Sequence, residues 1–79
     1  MRILIVEDDP MLLDGLSAGL GLAGFTVDAV ATCEDGFAAL QAHSYGAVVL
    51  DLMLPDGSGL DVLAFLRQRK DATPVVLLT

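Results

Sequence analysis

Short unbroken apolar runs alternate along this chain with longer segments whose apolar residues recur at helical spacing. The first run, Arg2-Ile3-Leu4-Ile5-Val6, is too short for a helix and apolar on successive residues, which predicts a strand buried on both faces. It stops at Glu7-Asp8-Asp9. Pro10 lacks the N–H that a helix leaves unpaired in its first turn, so a helix is predicted to begin there with Asp9 as its cap. Leu13, Leu16, Leu20 and Ala23 then give one apolar face, and Gly24 ends the segment.

Phe25-Thr26-Val27-Asp28-Ala29-Val30-Ala31 alternates imperfectly and favours β-formers, which predicts a second strand nearer an edge. Thr32 caps the next helix, with Glu34 and Asp35 in the first turn where the helix dipole favours carboxylates. Phe37, Leu40 and the intervening alanines make that helix short, ending near His43, and Ser44-Tyr45-Gly46 connects it to a strand from Ala47 to Leu50. Asp51 follows, and Pro55 to Gly59 form a loop. Ser58 with Asp61 resembles a capping arrangement, and Val62, Leu63 and Leu66 give the stripe of a third helix that closes on Arg67, Arg69 and Lys70. Asp71-Ala72-Thr73-Pro74 turns the chain into Val75-Val76-Leu77-Leu78, a fourth buried strand that delivers Thr79.

The order βαβαβαβ with short connections predicts one α/β domain over residues 1–79 with a parallel sheet, because such crossovers are right-handed and lay neighbouring strands side by side. No helix follows the last strand, so part of one sheet face is left uncovered. The expectation is that the chain is a fragment, or that another copy covers the gap by self-association.

Composition narrows the function classes. The chain is 54% hydrophobic, with a mean hydropathy of +0.68, yet no apolar run approaches the roughly 18 residues of a membrane span. Glu7-Asp8-Asp9 follows so soon after Arg2 that a secretory signal peptide is excluded, and the expected setting is the cytoplasm, with no membrane partner. Cys33 is read as a packed residue at a helix start and His43 as a surface residue near a helix end. A net charge of -7 argues against nucleic-acid binding by this chain itself, since phosphate backbones demand clustered Lys and Arg.

Acidity collected at strand ends suggests a cation instead. Open parallel sheets bind ligands just outside the carboxyl ends of their strands. Glu7 and Asp8 follow the first strand, Asp51 the third and Thr79 the fourth. If the first and third strands are neighbours, each like-charged pair at about 4 Å costs roughly 1 kcal/mol in water and about 4 near a protein surface, a cost that a cation offsets. Magnesium takes one or two carboxylates together with phosphate oxygens, and a carboxylate beside it can attack phosphorus to become an aspartyl phosphate. Asp51, alone on the central strand, is the candidate nucleophile. Glu7 and Asp8 are the candidate metal holders, and Thr79 offers a hydroxyl toward the phosphoryl group.

Ile3-Leu4-Ile5-Val6-Glu7-Asp8-Asp9, Val49-Leu50-Asp51-Leu52-Met53-Leu54-Pro55-Asp56-Gly57-Ser58-Gly59 and Val75-Val76-Leu77-Leu78-Thr79 resemble the receiver domain of two-component response regulators, the OmpR/PhoB-type transcriptional regulators in particular. The resemblance implies a flavodoxin-like (CheY-like) doubly wound sheet in the order 2-1-3-4, with a fifth strand and last helices lying beyond Thr79. It implies that Asp51 accepts phosphate from a sensor histidine kinase. It also implies that Asp8 and Asp51 bind Mg2+, that Glu7 assists through water, that the Met53 main-chain carbonyl completes the ligands, and that Thr79 is the switch hydroxyl. Pro55 and Gly59 match positions that shape the exit from the acceptor strand. DNA would be reached only through a C-terminal effector domain. The alternatives are a haloacid-dehalogenase-type phosphotransferase, which needs a second Asp where Met53 stands, and a flavodoxin-like scaffold that is never phosphorylated. No Gly-rich phosphate loop follows the first strand, which argues against a nucleotide-binding domain.

Overall fold

A computed structural model describes residues 1–78; Thr79 and its role as a switch hydroxyl lie outside the described residues. The elements run β1 (Arg2–Val6), α1 (Pro10–Leu22), β2 (Thr26–Val30), α2 (Cys33–Ala42), β3 (Ala47–Asp51), β4 (Met53–Leu54), β5 (Gly57–Ser58), α3 (Gly59–Gln68) and β6 (Val75–Leu78). The main sheet has the order β2-β1-β3-β6, the expected 2-1-3-4 arrangement with β6 as its fourth member. Its ladders are parallel, with Val6 beside Leu50 and Asp51 beside Leu78.

Local chemistry fixes the helix starts as read. The Asp9 carboxylate accepts from the N–H groups of Met11 and Leu12 at 3.0 and 3.4 Å, and Thr32 Oγ1 accepts from Asp35 N at 3.1 Å. Ser58 and Asp61 form a capping box at the head of α3. The cations at the end of α3 do more than complement its dipole. Arg67 Nη1 donates to the carbonyls of Asp71 and Thr73 at 2.6 and 3.1 Å, and Arg69 Nη1 reaches the Leu40 carbonyl at 3.2 Å, tying α3 to α2.

The core lies on one face of the sheet, where Leu4, Val6, Val48 and Leu50 meet Cys33 and Leu40 of α2, Tyr45, and Val62 and Leu66 of α3. The opposite face is covered less well. No residue of α1 is buried; Leu13, Leu16 and Leu20 are half-buried and Ala23 is exposed.

Two expectations need correction. The segment read as a plain loop before α3 contains an antiparallel hairpin, β4 paired with β5, in which Met53 faces Ser58 and Leu54 faces Gly57. Two-residue strands are too short to show any periodicity. The last strand is also not buried: Val76 is 54% and Leu77 39% exposed. Its apolar run predicts a strand, but β6 has only β3 beside it among the described residues.

Candidate functional site

The site is built where β1 and β3 leave the sheet. These strands are neighbours, and Val6 pairs with Leu50, so the next residues, Glu7 and Asp51, emerge side by side. Glu7, Asp8 and Asp51 each present a carboxylate oxygen, and these atoms all lie within 4.8 Å of one another. Glu7 is only 3% exposed, Asp51 is half-buried and Asp8 is open to solvent. Burial pushes the Glu7 carboxyl up; the Asp9 N–H donating to Glu7 Oε1 at 3.0 Å opposes this, and the neighbouring Asp51 and Asp8 carboxylates add to the rise.

Asp51 is held from its own carboxyl side. Its Oδ1 accepts from the Met53 N–H at 3.2 Å, so Met53 stands two residues beyond the candidate acceptor with its main chain tied back to it. The Gly59 N–H donates to the Leu52 carbonyl at 3.2 Å. A Cβ at position 59 would collide with the main-chain carbonyl of Asp51, which explains the glycine at the start of α3. Pro55 is exposed in the turn between β4 and β5. Leu78, the residue before Thr79, lies beside Asp51 in register.

Asp9 does not join the cluster but caps α1, as expected. Cys33 is buried at the start of α2, and His43 is exposed at its end; neither belongs to the Glu7, Asp8 and Asp51 cluster. Sequence reasoning passed over Asp56, which it left inside the loop. Its two carboxylate oxygens accept from the N–H groups of Cys33 and Glu34 at 2.8 and 3.0 Å. Those partners lie more than twenty residues away, and no local spacing signals them.

The donor set consists of carboxylate oxygens alone, the chemistry of a hard cation rather than a soft one. Three like charges this close, one of them buried, raise the free energy unless a cation or a proton neutralises them. The residues fit a divalent metal such as Mg2+.

Residues 3–79 match the response regulator receiver domain family. The chain is 48% identical over 79 residues to the transcriptional regulatory protein BasR of Escherichia coli, an alignment covering 100% of this chain and 36% of the relative. It is 50% identical over 82 residues to the response regulator protein PmrA of Pseudomonas aeruginosa, again covering 100% of this chain and 36% of the relative. The chain thus spans about a third of the length of these curated relatives, 36% in each case. Among solved structures, the MaeR response regulator bound to beryllium trifluoride is 40% identical with a TM-score of 0.91, covering 100% of this chain and 66% of that one. The response regulator TrrA of Thermotoga maritima, in complex with Mg2+-BeF, is 32% identical with a TM-score of 0.92, covering 99% of this chain and 68% of that one. The haloacid-dehalogenase and scaffold alternatives are not favoured, since likeness of sequence and of fold point to the same place: the chain belongs to the receiver domains of two-component response regulators.

Proposed function

We propose that Asp51 accepts a phosphoryl group from a sensor histidine kinase, with Mg2+ held by Asp8, Asp51 and the Met53 main-chain carbonyl and assisted by Glu7 through water. The observation that carries this reading is the convergence of Glu7, Asp8 and Asp51 within 4.8 Å at adjacent strand ends, with Glu7 buried against two like charges. When bound, Mg2+ supplies positive charge against the oxygens of the transferring phosphoryl group. The Asp51 carboxylate forms the new O–P bond as the P–N bond to the donor histidine breaks and its electron pair returns to the imidazole. The Met53 N–H on Asp51 Oδ1 orients that carboxylate for the attack. Thr79 is proposed as the switch hydroxyl that senses the phosphoryl group.

The role is regulatory rather than that of a turnover enzyme, because Met53 stands where a haloacid-dehalogenase-type phosphotransferase needs its second acid. The relatives are transcriptional regulators, which supports an output through a DNA-binding effector domain carried on the same protein. The acidic receiver itself, at net charge -7, is unsuited to DNA. Among the described residues no helix is long and apolar enough to cross a membrane; the cytoplasm is proposed as the setting from the response regulator receiver family. The exposure of Val76 and Leu77 on β6 supports self-association of this chain.

The test is the intact mass after incubation with acetyl phosphate and Mg2+. A gain of one phosphoryl group that Asp51→Asn abolishes, while the circular dichroism of the variant stays native, is the expected result. Labelling that survives Asp51→Asn overturns the assignment.

A further inference from the structure

Helix α2 begins with more N–H donors than its own cap satisfies. Thr32 Oγ1 takes the amide of Asp35, and the Thr32 carbonyl takes that of Gly36 at 3.0 Å. The amides of Cys33 and Glu34 instead donate to a single distant carboxylate, Asp56, one to each oxygen, at 2.8 and 3.0 Å. A carboxylate at a helix N-terminus gains both from the two N–H groups and from the dipole, and these bonds hold the Asp56 carboxyl below the usual carboxylate range.

Asp56 lies in the turn between β4 and β5. That hairpin has two residues per strand and could not hold its shape alone. It is fastened to α2 at two points. Asp56 grips the first two amides of the helix, and Cys33 Sγ donates to the Ser58 carbonyl at 3.5 Å. Gly57 fits tightly between them: a Cβ there would stand 2.8 Å from Asp61 Oδ2 and 3.3 Å from Cys33 Sγ. On its other arm the hairpin begins with Met53, whose N–H holds Asp51 Oδ1 at 3.2 Å. A continuous path of bonds therefore runs from the head of α2 through Asp56 and the hairpin to Asp51.

We propose that Asp56 is a positioning residue for Asp51: by clamping the β4–β5 turn to the first turn of α2, it fixes the Met53 main chain and with it the orientation of the acceptor carboxylate. The inference rests on Asp51 being the phosphoacceptor. Without the clamp the turn keeps only the Cys33 Sγ contact and the Ser58–Asp61 capping box, both on its β5 arm, and the β4 arm that carries the Met53 N–H loosens from Asp51 Oδ1. The bland alternative is that Asp56 only stabilises α2. Thr32 separates the two, because it caps the same helical turn and its hydrogen bonds among the described residues go to Asp35 and Gly36, not to the hairpin.

The experiment compares the full-length protein with Asp56→Ala, Asp56→Asn and Thr32→Ala. It reads the rate of phosphorylation by acetyl phosphate with Mg2+, the amide resonance of Met53 without Mg2+, and the thermal melt. Asp56→Ala is expected to move the Met53 resonance and to slow phosphorylation on the order of tenfold at temperatures where it is folded, since small misplacements of a reacting group are costly. Asp56→Asn keeps one acceptor oxygen and restores part of both readouts. Thr32→Ala melts lower but matches the wild type in rate and in the Met53 resonance. Should Asp56→Ala fail to fold, Asp56→Asn against Thr32→Ala carries the same comparison. Wild-type rate and an unmoved Met53 resonance in the Asp56 variants overturn the proposal, and so does a Thr32→Ala variant that reproduces their defects. An unlabelled wild type, or labelling that survives Asp51→Asn, overturns the acceptor reading instead, and the Met53 resonance still reports on the clamp.

Discussion

Gly59 lies so close to the main-chain carbonyl of Asp51 that the two segments meet backbone to backbone, with the Gly59 N–H also bonded to the Leu52 carbonyl at 3.2 Å. The start of α3 thereby braces the exit of β3, and only a residue without a side chain permits that approach. Gly59→Ala forces the carbonyl, the helix start or both to move. Overpacking of this kind costs about 1–3 kcal/mol. A lower melting temperature is expected together with slower phosphoryl uptake, because the displaced atom belongs to Asp51 itself. An unchanged melt and an unchanged rate would show that the backbone there yields freely.

The three carboxylates at the strand ends predict a stability that depends on metal. A ligand that binds only the folded state adds about 2.7 kcal/mol at a concentration one hundred times its Kd. Scanning calorimetry with Mg2+ and then with a chelator is expected to show a higher melting temperature with the metal. Asp8→Asn removes one donor and also relieves like-charge repulsion within the cluster. This variant is expected to melt no lower than the wild type in chelator and to gain less from Mg2+. Equal gains in the two proteins would remove Asp8 from the ligand set.

Midway along β2, beside Leu4 in register, Asp28 predicts a pH dependence unrelated to the carboxylate cluster. Its carboxylate accepts from Arg2 Nε and Nη2 at 2.7 and 3.1 Å and from the Tyr45 hydroxyl at 2.6 Å, so β1, β2 and the connector before β3 are joined through one side chain. Arg2 first, and then Tyr45, hold the Asp28 carboxyl below the usual range. Burial first, and then Asp28, push the Tyr45 phenol up to about 12. A depressed acid stabilises the fold above its unfolded pKa, and that stability is lost as pH falls through the folded value. A raised phenol stabilises the fold below its unfolded pKa, and the contribution is lost as pH rises toward the folded value. The network is thus fully effective between about pH 4 and pH 10, the ordinary carboxylate and phenol values. Urea unfolding across pH is expected to show a shallower acid limb in Asp28→Asn and a shallower alkaline limb in Tyr45→Phe. Limbs unchanged from the wild type would assign the pH response to other groups.

Much of this was legible in the residues themselves, and what was not shares a physical cause. Pro10 behind Asp9, Thr32 ahead of Glu34 and Asp35, and Ser58 paired with Asp61 each carry their signal within four positions, and the structure begins α1, α2 and α3 at those places. The apolar runs mark β1 and β3 as strands, the family resemblance implies that they are neighbours, and the structure pairs them and so brings together the acids that follow them. The grip of Asp56 on Cys33 and Glu34, and that of Tyr45 and Arg2 on Asp28, join residues far apart in the chain, where no spacing speaks. Burial was also misjudged where it depends on a neighbour. Val76 and Leu77 are as apolar as Leu4 and Ile5, but a strand's exposure is set by what lies beside it.

That exposure leads to the last expectation, concerning association. In register, Val76 stands beside Val49 and Leu77 beside Leu50, so the two exposed side chains lie on opposite faces of β6, and β3 is its only ladder partner among the described residues. An apolar strand with a free edge is a template for pairing with another chain. Val76 and Leu77 are already about half-buried, so covering the rest of both on each of two paired copies contributes about 3–6 kcal/mol in all; the hydrogen bonds of the new ladder add about 0.5–1.5 kcal/mol each, against an association cost of at least about 4 kcal/mol. Self-association of the 79-residue chain is therefore expected to be weak, with a Kd on the order of millimolar. Sedimentation equilibrium over a range of concentrations is expected to show the average mass rising with concentration. Val76→Lys places a charge on the edge strand and is expected to hold the mass at the monomer value. A wild-type chain that stays monomeric at millimolar concentration would mean that the β6 edge is protected by its own twist and does not pair.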